Sequence, residues 1–247
     1  MTAAIRAEVA AAAQAAARAG LVEAFGHVSA RLPDGGAAIT ATLPMDTARA
    51  EDVIVLDAAG RAIAGAVGDV PLEIWLHLAI YAARPDVGAI CRGHPPAAVR
   101  WGTGDAELPA LHGLGLMAGR RVPVHDSVAL VSTPERGAAA ARALGSEASL
   151  LLRGNGALAV GADPLEAATR LYALEDRARV ALSPGPASRP VPAPDWDARL
   201  TDSPIELTRA RRWFTHHYTP PPTPPTAPAT GSASASPFGS TAGEAQA

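Results

Sequence analysis

The sequence predicts an α/β/α or α+β domain built on a mostly antiparallel sheet. Three observations carry this. Roughly seven or eight apolar runs of strand length are interspersed with about four or five helical segments. Hairpin signals stand near both ends of the domain, which argues against a purely parallel, doubly wound sheet. Between them, Pro71–Pro95 reads as one helix, one short buried strand and a Gly/Pro-constrained loop.

Taken in order, residues 3–19 are mostly Ala with spaced charges, a strong helix-forming composition, and Gly20 is the expected stop. Residues 28–42 read as a hairpin around Pro33-Asp34-Gly35-Gly36. Asp52–Asp57 is a strand, and Ala58-Ala59-Gly60 turns it into Arg61-Ala62-Ile63. Pro71 suits a first helical turn, with Asp69 at or near the cap. Leu72, Trp75, Leu76 and Ile80 give residues 72–83 helical periodicity. Glu73, His77 and Tyr81 then lie at i, i+4 and i+8, on one face. Val87–Cys91 is a buried strand that runs into Arg92-Gly93-His94-Pro95-Pro96. Ala97–Trp101 starts another helix, and 122–124 and 128–131 read as short strands. Thr133-Pro134-Glu135 opens a helix that stops at Gly145. Ser149–Arg153, the Gly154-Asn155-Gly156 turn and Ala157–Val160 form a second hairpin. Asp163-Pro164-Leu165-Glu166 caps a helix over 164–182. The domain is expected to span 1–218. Residues 219–247 are a Pro/Ser/Ala-rich tail expected to stay disordered, since it has little to bury.

The 247 residues, 48% apolar and 18% charged, suffice for a sizeable core. A net charge of −3 and no basic, aromatic-interleaved stripe exclude a nucleic-acid partner. The single cysteine, Cys91, excludes an internal disulfide and a cysteine-based zinc site. Residues 3–19 carry Arg6, Glu8 and Arg18 and so read as a helix, not a signal peptide. No apolar run is long enough for a membrane span. The expected location is cytoplasmic. Dinucleotide, P-loop and nucleophile-elbow signatures are absent.

Most histidines here read first as structural: His27, His77, His112 and His125 lie in four separate segments, and His216-His217 reads as a surface pair. Glu73 at a helix start is stabilised there by the helix dipole whatever else it does. His94 stands out, because it follows a buried strand and precedes a constrained Pro-Pro loop.

These pieces, in this order, resemble the class II aldolase/adducin family over about residues 5–182. Gly26-His27-Val28-Ser29-Ala30-Arg31 is similar to its G-N-[IV]-S-x-R. Asp52–Arg61 is similar to its strand and "DGR" turn, and Pro71–Tyr81 to its P-x-E-x-x-x-H-x-x-I-Y. Cys91–Pro95 takes the place of V-H-T-H-S, and Leu151–Ala157 that of L-L-R-G-H-G-A. The resemblance implies a three-layer α/β/α fold with a mostly antiparallel central sheet and a cyclic homotetramer with interface active sites. It also implies a divalent metal, usually zinc, on three histidines, with a nearby Glu moving protons around an enediolate-type anion. Glu73 matches that Glu, and His94 matches one ligand histidine.

The departures are informative. Arg92 and Asn155 stand where the other two ligands would be. Arg has no acceptor and repels a cation, and Asn is a poor zinc ligand. The expectation is therefore no metal cofactor, with zinc or manganese on His94 as the alternative; Cys91 should point away from Arg92 across its strand. The family's phosphate-binding positions hold His27, Thr42-Leu43 and Pro71-Leu72, where Leu and Pro donate no side-chain hydrogen bond. A sugar phosphate is thus not the expected substrate. Pro-Leu-Glu and Leu-Arg-Gly-x-Gly are closer to the branch with decarboxylases of hydroxylated aromatic acids.

Two function classes remain. One is a carbon–carbon lyase, a decarboxylase or aldolase type, acting through an enolate-like anion on a non-phosphorylated, carboxylate-bearing small molecule. Arg92 would replace the metal charge, with Glu73 and His94 catalytic and His27, Ser29, Thr42, His112 and Asn155 at the substrate. The other is an inactive adducin-like scaffold.

Overall fold

The computed structural model describes residues 2–66 and 69–219, so the expected tail, apart from Thr219, lies outside the described residues. Helix α1 (Thr2–Arg18) ends at Gly20, whose φ of 70° is the left-handed stop expected of a glycine. Strands β1 (His27–Arg31) and β2 (Ala37–Ile39) form the first hairpin. The Asp34 side chain accepts from the Gly36 amide at 3.1 Å to close its turn. Strands β3 (Ile54–Leu56) and β4 (Ala62–Ala64) form the next. Then come α2 (Ile74–Ala83), β5 (Ala89–Gly93), α3 (Pro96–Trp101) and β6 (Val124–His125). The chain continues through α4 (Pro134–Leu144), β7 (Ser149–Leu152), β8 (Ala157–Gly161), α5 (Pro164–Leu182) and α6 (Ala193–Tyr218).

The strands join in one sheet, ordered β4-β3-β2-β1-β5-β8-β7-β6. Every neighbouring pair is antiparallel except β6–β7. Both faces are covered. Helices α1, α3, α5 and α6 bury Val9, Ala98, Leu171 and Phe214 against Val28, Cys91 and Ala159. On the other face α2 and α4 bury Leu76, Ile80 and Leu144 against Ile90, Leu152 and Leu158. This is the expected three-layer α/β/α fold. The pleat sends Cys91 to the α1/α5 side, while Arg92 faces α2 and meets Glu73.

Three expectations need correction. Residues 128–131 form no ladder: Val128 and Leu130 are 70% and 47% exposed, and this stretch is a loop over the site. The strand expected at 122–124 sits at Val124–His125 instead, because Pro123 has no amide to donate and offers only its carbonyl to Leu151. Helix α2 starts at Ile74 with Glu73 as its N-cap, and Asp69 instead accepts from the Thr42 amide through its carbonyl. Helix α6 has no counterpart among the elements expected from the sequence. Among the described residues, no helix is long and apolar enough to cross a membrane.

Candidate active site

The site is built by one strand lying along one helix. Alternate residues of β1 face α2, and every fourth residue of α2 faces back. A strand advances about 6.6 Å in two residues and a helix about 6 Å in four, so the two sets stay in step. His27 meets Glu73 (Nε2 to Oε2, 3.3 Å) and Ser29 meets His77 (Oγ to Nδ1, 2.6 Å). Arg31 donates to the carbonyls of Tyr81, Arg84 and Val87 at 2.6–2.8 Å, which closes the C-terminal end of α2.

Strand β5 adds Arg92. Register places it directly across from His27 on β1 and Leu158 on β8. Its side chain is 2% exposed. One terminal nitrogen forms an ion pair with Glu73 Oε2 at 3.1 Å and donates to the Asn155 carbonyl at 3.0 Å. The other contacts His94. The Nε–H is buried with no partner among the described residues. Glu73 also accepts from the Val131 amide at 3.1 Å through its other oxygen.

His94 is set by close backbone approach. A Cβ on Gly93 would lie 2.3 Å from the Leu21 carbonyl, and that same carbonyl accepts from the His94 amide at 2.9 Å. Gly156, with φ of 100°, crosses over the Gly93 carbonyl where a Cβ would be 2.2 Å away. Downstream, the buried Glu175 accepts from the Ala97 and Ala98 amides at 2.9–3.1 Å and pins the start of α3. Nothing in the sequence distinguishes Glu175 beyond its place on the long helix. The His94 tautomer follows from its partners. Nδ1–H donates to the Phe25 carbonyl at 3.0 Å, which leaves Nε2 to accept from Arg92 at 2.8 Å. The second short distance from Arg92, to Nδ1, is proximity only, since that nitrogen already carries its proton.

The charges follow from this packing. Burial alone would raise the Glu73 carboxyl. The His27 hydrogen bond, the Arg92 charge and the Val131 amide outweigh it and hold Glu73 at about 2. Burial lowers His94, and the Arg92 charge adds to that against the Phe25 and Asn155 hydrogen bonds. Burial likewise lowers His27 and carries His77 well below the ordinary histidine value. At neutral pH the cluster is therefore one carboxylate, one guanidinium and three neutral imidazoles.

A cavity of about 520 Å³ opens over this cluster. His27, Glu73, Arg92, His94 and Asn155 line its floor, with Thr42 at its wall. Its rim is apolar: Phe25, Leu72, Leu43 and Leu130 are 74%, 69%, 38% and 47% exposed. Two expected substrate contacts lie elsewhere. Ser29 is fully buried behind His77, its hydroxyl taken up by His77 and Tyr81. His112 sits beyond the sheet's other face, paired to Asp176 on α5 at 2.8 Å.

The donor set does not fit a zinc ion. Among the described residues, no group of three His, Cys, Asp or Glu side chains is placed to hold a metal. The Nε2 lone pair of His94 is already engaged by a guanidinium.

The Class II Aldolase and Adducin N-terminal domain family matches residues 7–182. A 3,4-dihydroxyphthalate decarboxylase of Terrabacter sp. (strain DBF63) is 31% identical over 209 residues, 76% of this chain and 85% of that protein. A 3,4-dihydroxyphthalate decarboxylase of Rhodococcus jostii (strain RHA1) is 28% identical over 194 residues, 72% of this chain and 79% of that protein. In structure, the chain is similar to an aldolase II superfamily protein from Pseudomonas syringae, with a TM-score of 0.75 and 22% identity over 87% of this chain and 92% of the other. With a match over most of its length and the three-layer sheet built as described, the chain belongs to the class II aldolase and adducin N-terminal domain family.

Proposed function

We propose that this protein is a carbon–carbon lyase that decarboxylates a hydroxylated aromatic acid, with Arg92 supplying the fixed positive charge. The observation that carries this reading is the Arg92 guanidinium, held at the cavity floor between Glu73 and His94. A fixed guanidinium at a cavity floor favours negative charge developing beside it. The apolar rim of Phe25, Leu43, Leu72 and Leu130 suits a flat ring and offers no side-chain donor to a phosphate. The two decarboxylase relatives support the same class.

Glu73 starts as a carboxylate, so it takes a proton before it gives one. It accepts the proton of the substrate hydroxyl and returns it to the ring carbon that bears the carboxylate. The C–C bond then breaks, carbon dioxide leaves, and the electron pair stays on the ring as a phenolate facing Arg92. His94 and Asn155 hold Arg92 in place. A second subunit covering the exposed rim, as in a homotetramer, would exclude water from this anion.

The test is carbon dioxide release from dihydroxyphthalates and simpler hydroxybenzoates by the full chain and by Glu73→Gln. The expected loss in the variant is about 10²–10⁴-fold in kcat. A variant as fast as the parent removes Glu73 from the chemistry. An inactive adducin-like scaffold is the second reading. It is favoured by the Glu73–Arg92 pair itself, since each already has a partner at rest. Failure of the parent on every acid would support it.

Metal independence is tested separately. Arg92→His combined with Asn155→His adds two imidazoles beside His94 at the cavity floor. The double variant should retain about one zinc per chain after dialysis, and the parent should retain far less. Retention of about one zinc by the parent as well would show that it holds the metal with another donor set.

A further inference from the structure

Behind Glu73 the cavity floor continues into the protein as an unbroken chain of short contacts. Glu73 Oε2 meets His27 Nε2 at 3.3 Å, and His27 Nδ1 meets His77 Nε2 at 2.6 Å. His77 Nδ1 meets Ser29 Oγ at 2.6 Å, and Ser29 Oγ meets the Tyr81 hydroxyl at 2.7 Å. Ser29, His77 and Tyr81 are at most 2% exposed, and none of them lines the cavity.

The chain can carry its hydrogens in only one sense. Glu73 is ionised and can only accept, so His27 Nε2 carries a hydrogen and points it at the carboxylate. Neutral His27 then has a lone pair at Nδ1, so His77 must donate from Nε2. Neutral His77 has its lone pair at Nδ1, so Ser29 donates to it, and Ser29 in turn accepts from Tyr81. Burial raises the Tyr81 hydroxyl, so it keeps its proton and remains a donor. Reversing any one link would set two lone pairs, or two hydrogens, face to face inside a site closed to solvent.

We propose that Tyr81, Ser29, His77 and His27 form a single-polarity hydrogen-bond chain that ends on Glu73, with His27 and His77 as positioning residues for that carboxylate. This rests on the cavity being a catalytic site, but the polarity itself does not. The chain fixes the rotamer of Glu73 from behind, while Arg92 and the Val131 amide fix it from the sides. Ser29 gains a role here, for it donates to His77 Nδ1, accepts from Tyr81 and does not touch substrate.

Two measurements on the full chain separate these claims. The first is nitrogen-15 NMR of labelled histidines at neutral pH. His27 and His77 should both be neutral Nε2–H tautomers, assigned with His27→Gln and His77→Gln. Finding either ring as the Nδ1–H tautomer, or as a cation, overturns the chain whether or not the protein is active. In Glu73→Gln the acceptor that sets the polarity is gone, and His77, which does not touch Glu73, should become a mixture of tautomers. An unchanged His77 would show that its polarity is set elsewhere and would overturn the proposal.

The second measurement is kinetic. His77→Leu should lower kcat about 10- to 100-fold and leave KM within about two-fold, because His77 acts only through His27. His77→Gln, whose amide can donate to His27 while its oxygen accepts from Ser29, should restore most of that loss. Equal kcat for the parent and His77→Leu, with both folded by circular dichroism, would remove the positioning role. If the parent is inactive but both rings are Nε2–H, the polarity stands and the decarboxylase reading falls.

Discussion

Arg92→Met is expected to lose turnover by about 10²–10³-fold and to weaken the fold by about 3–5 kcal/mol. The two losses have different causes. Turnover falls because the developing anion loses the fixed cation at the cavity floor. Stability falls because Glu73 is left ionised, 8% exposed and without its partner charge. The causes can be separated. Glu73→Gln together with Arg92→Met removes both charges, so most of the stability should return while turnover stays lost. Arg92→Lys keeps the charge but not the fork. A single ammonium cannot reach Glu73, His94 and the Asn155 carbonyl as the guanidinium does, so this variant should recover part of the stability and little of the rate. Urea titration and carbon dioxide release on the four proteins make the comparison. Full turnover by Arg92→Met would end the view that its charge replaces a metal.

Much of the frame could be read from local chemistry. The Asp163-Pro164-Leu165-Glu166 signature forms the cap it predicts: the Asp163 side chain accepts from the Glu166 amide at 3.0 Å and the helix runs to Leu182. Thr133 caps α4 in the same way, and Gly145 ends it with φ of 55°. The spacing of Glu73, His77 and Tyr81 also placed three members of the site on one helix face. What local chemistry could not supply was the partner of that face. The contacts of His27 and Ser29 with α2 join residues about fifty positions apart, and they depend on β1 pairing with β5 rather than only with its hairpin neighbour. Strand order of that kind is a property of the closed sheet, not of any short stretch. The apolar run at 128–131 misled for a related reason. β-branched residues there suit a strand, but the stretch joins no ladder, and Val131 gives its amide to Glu73 instead. Helix α6 was masked by its internal Pro204, a residue that normally argues against a long helix.

Acid should destabilise this protein in two stages, and the histidines should act first. His27 and His77 are buried and neutral. Burial is the main cause that lowers each, with Arg92 adding to it at His27, and His27 and Arg92 adding to it at His77. Their folded values lie below the ordinary 6.5, so as pH falls through 6.5 the unfolded chain takes up protons that the native state refuses. Stability therefore declines from about that pH downward. Glu73 adds a second stage. Its carboxyl is depressed from 4.5 to about 2, so its contribution is complete above 4.5 and is lost as pH falls toward 2. A shift of that size corresponds to about 3 kcal/mol. The urea midpoint should be level from about pH 8 to 7, fall below about 6.5, and fall faster below about 4.5. Glu73→Gln should shrink the lower stage to the smaller share of the Asp57 and Asp86 carboxyls, which Arg61 and Arg84 hold down. It should leave the upper stage in place and slightly deepen it, because Glu73 is the group that opposes the lowering of His27. A midpoint that stays level from about pH 7 to 5 would mean that the two rings protonate in the native state. That could not coexist with the 2.6 Å contact between them, which requires one ring to offer a lone pair to the other.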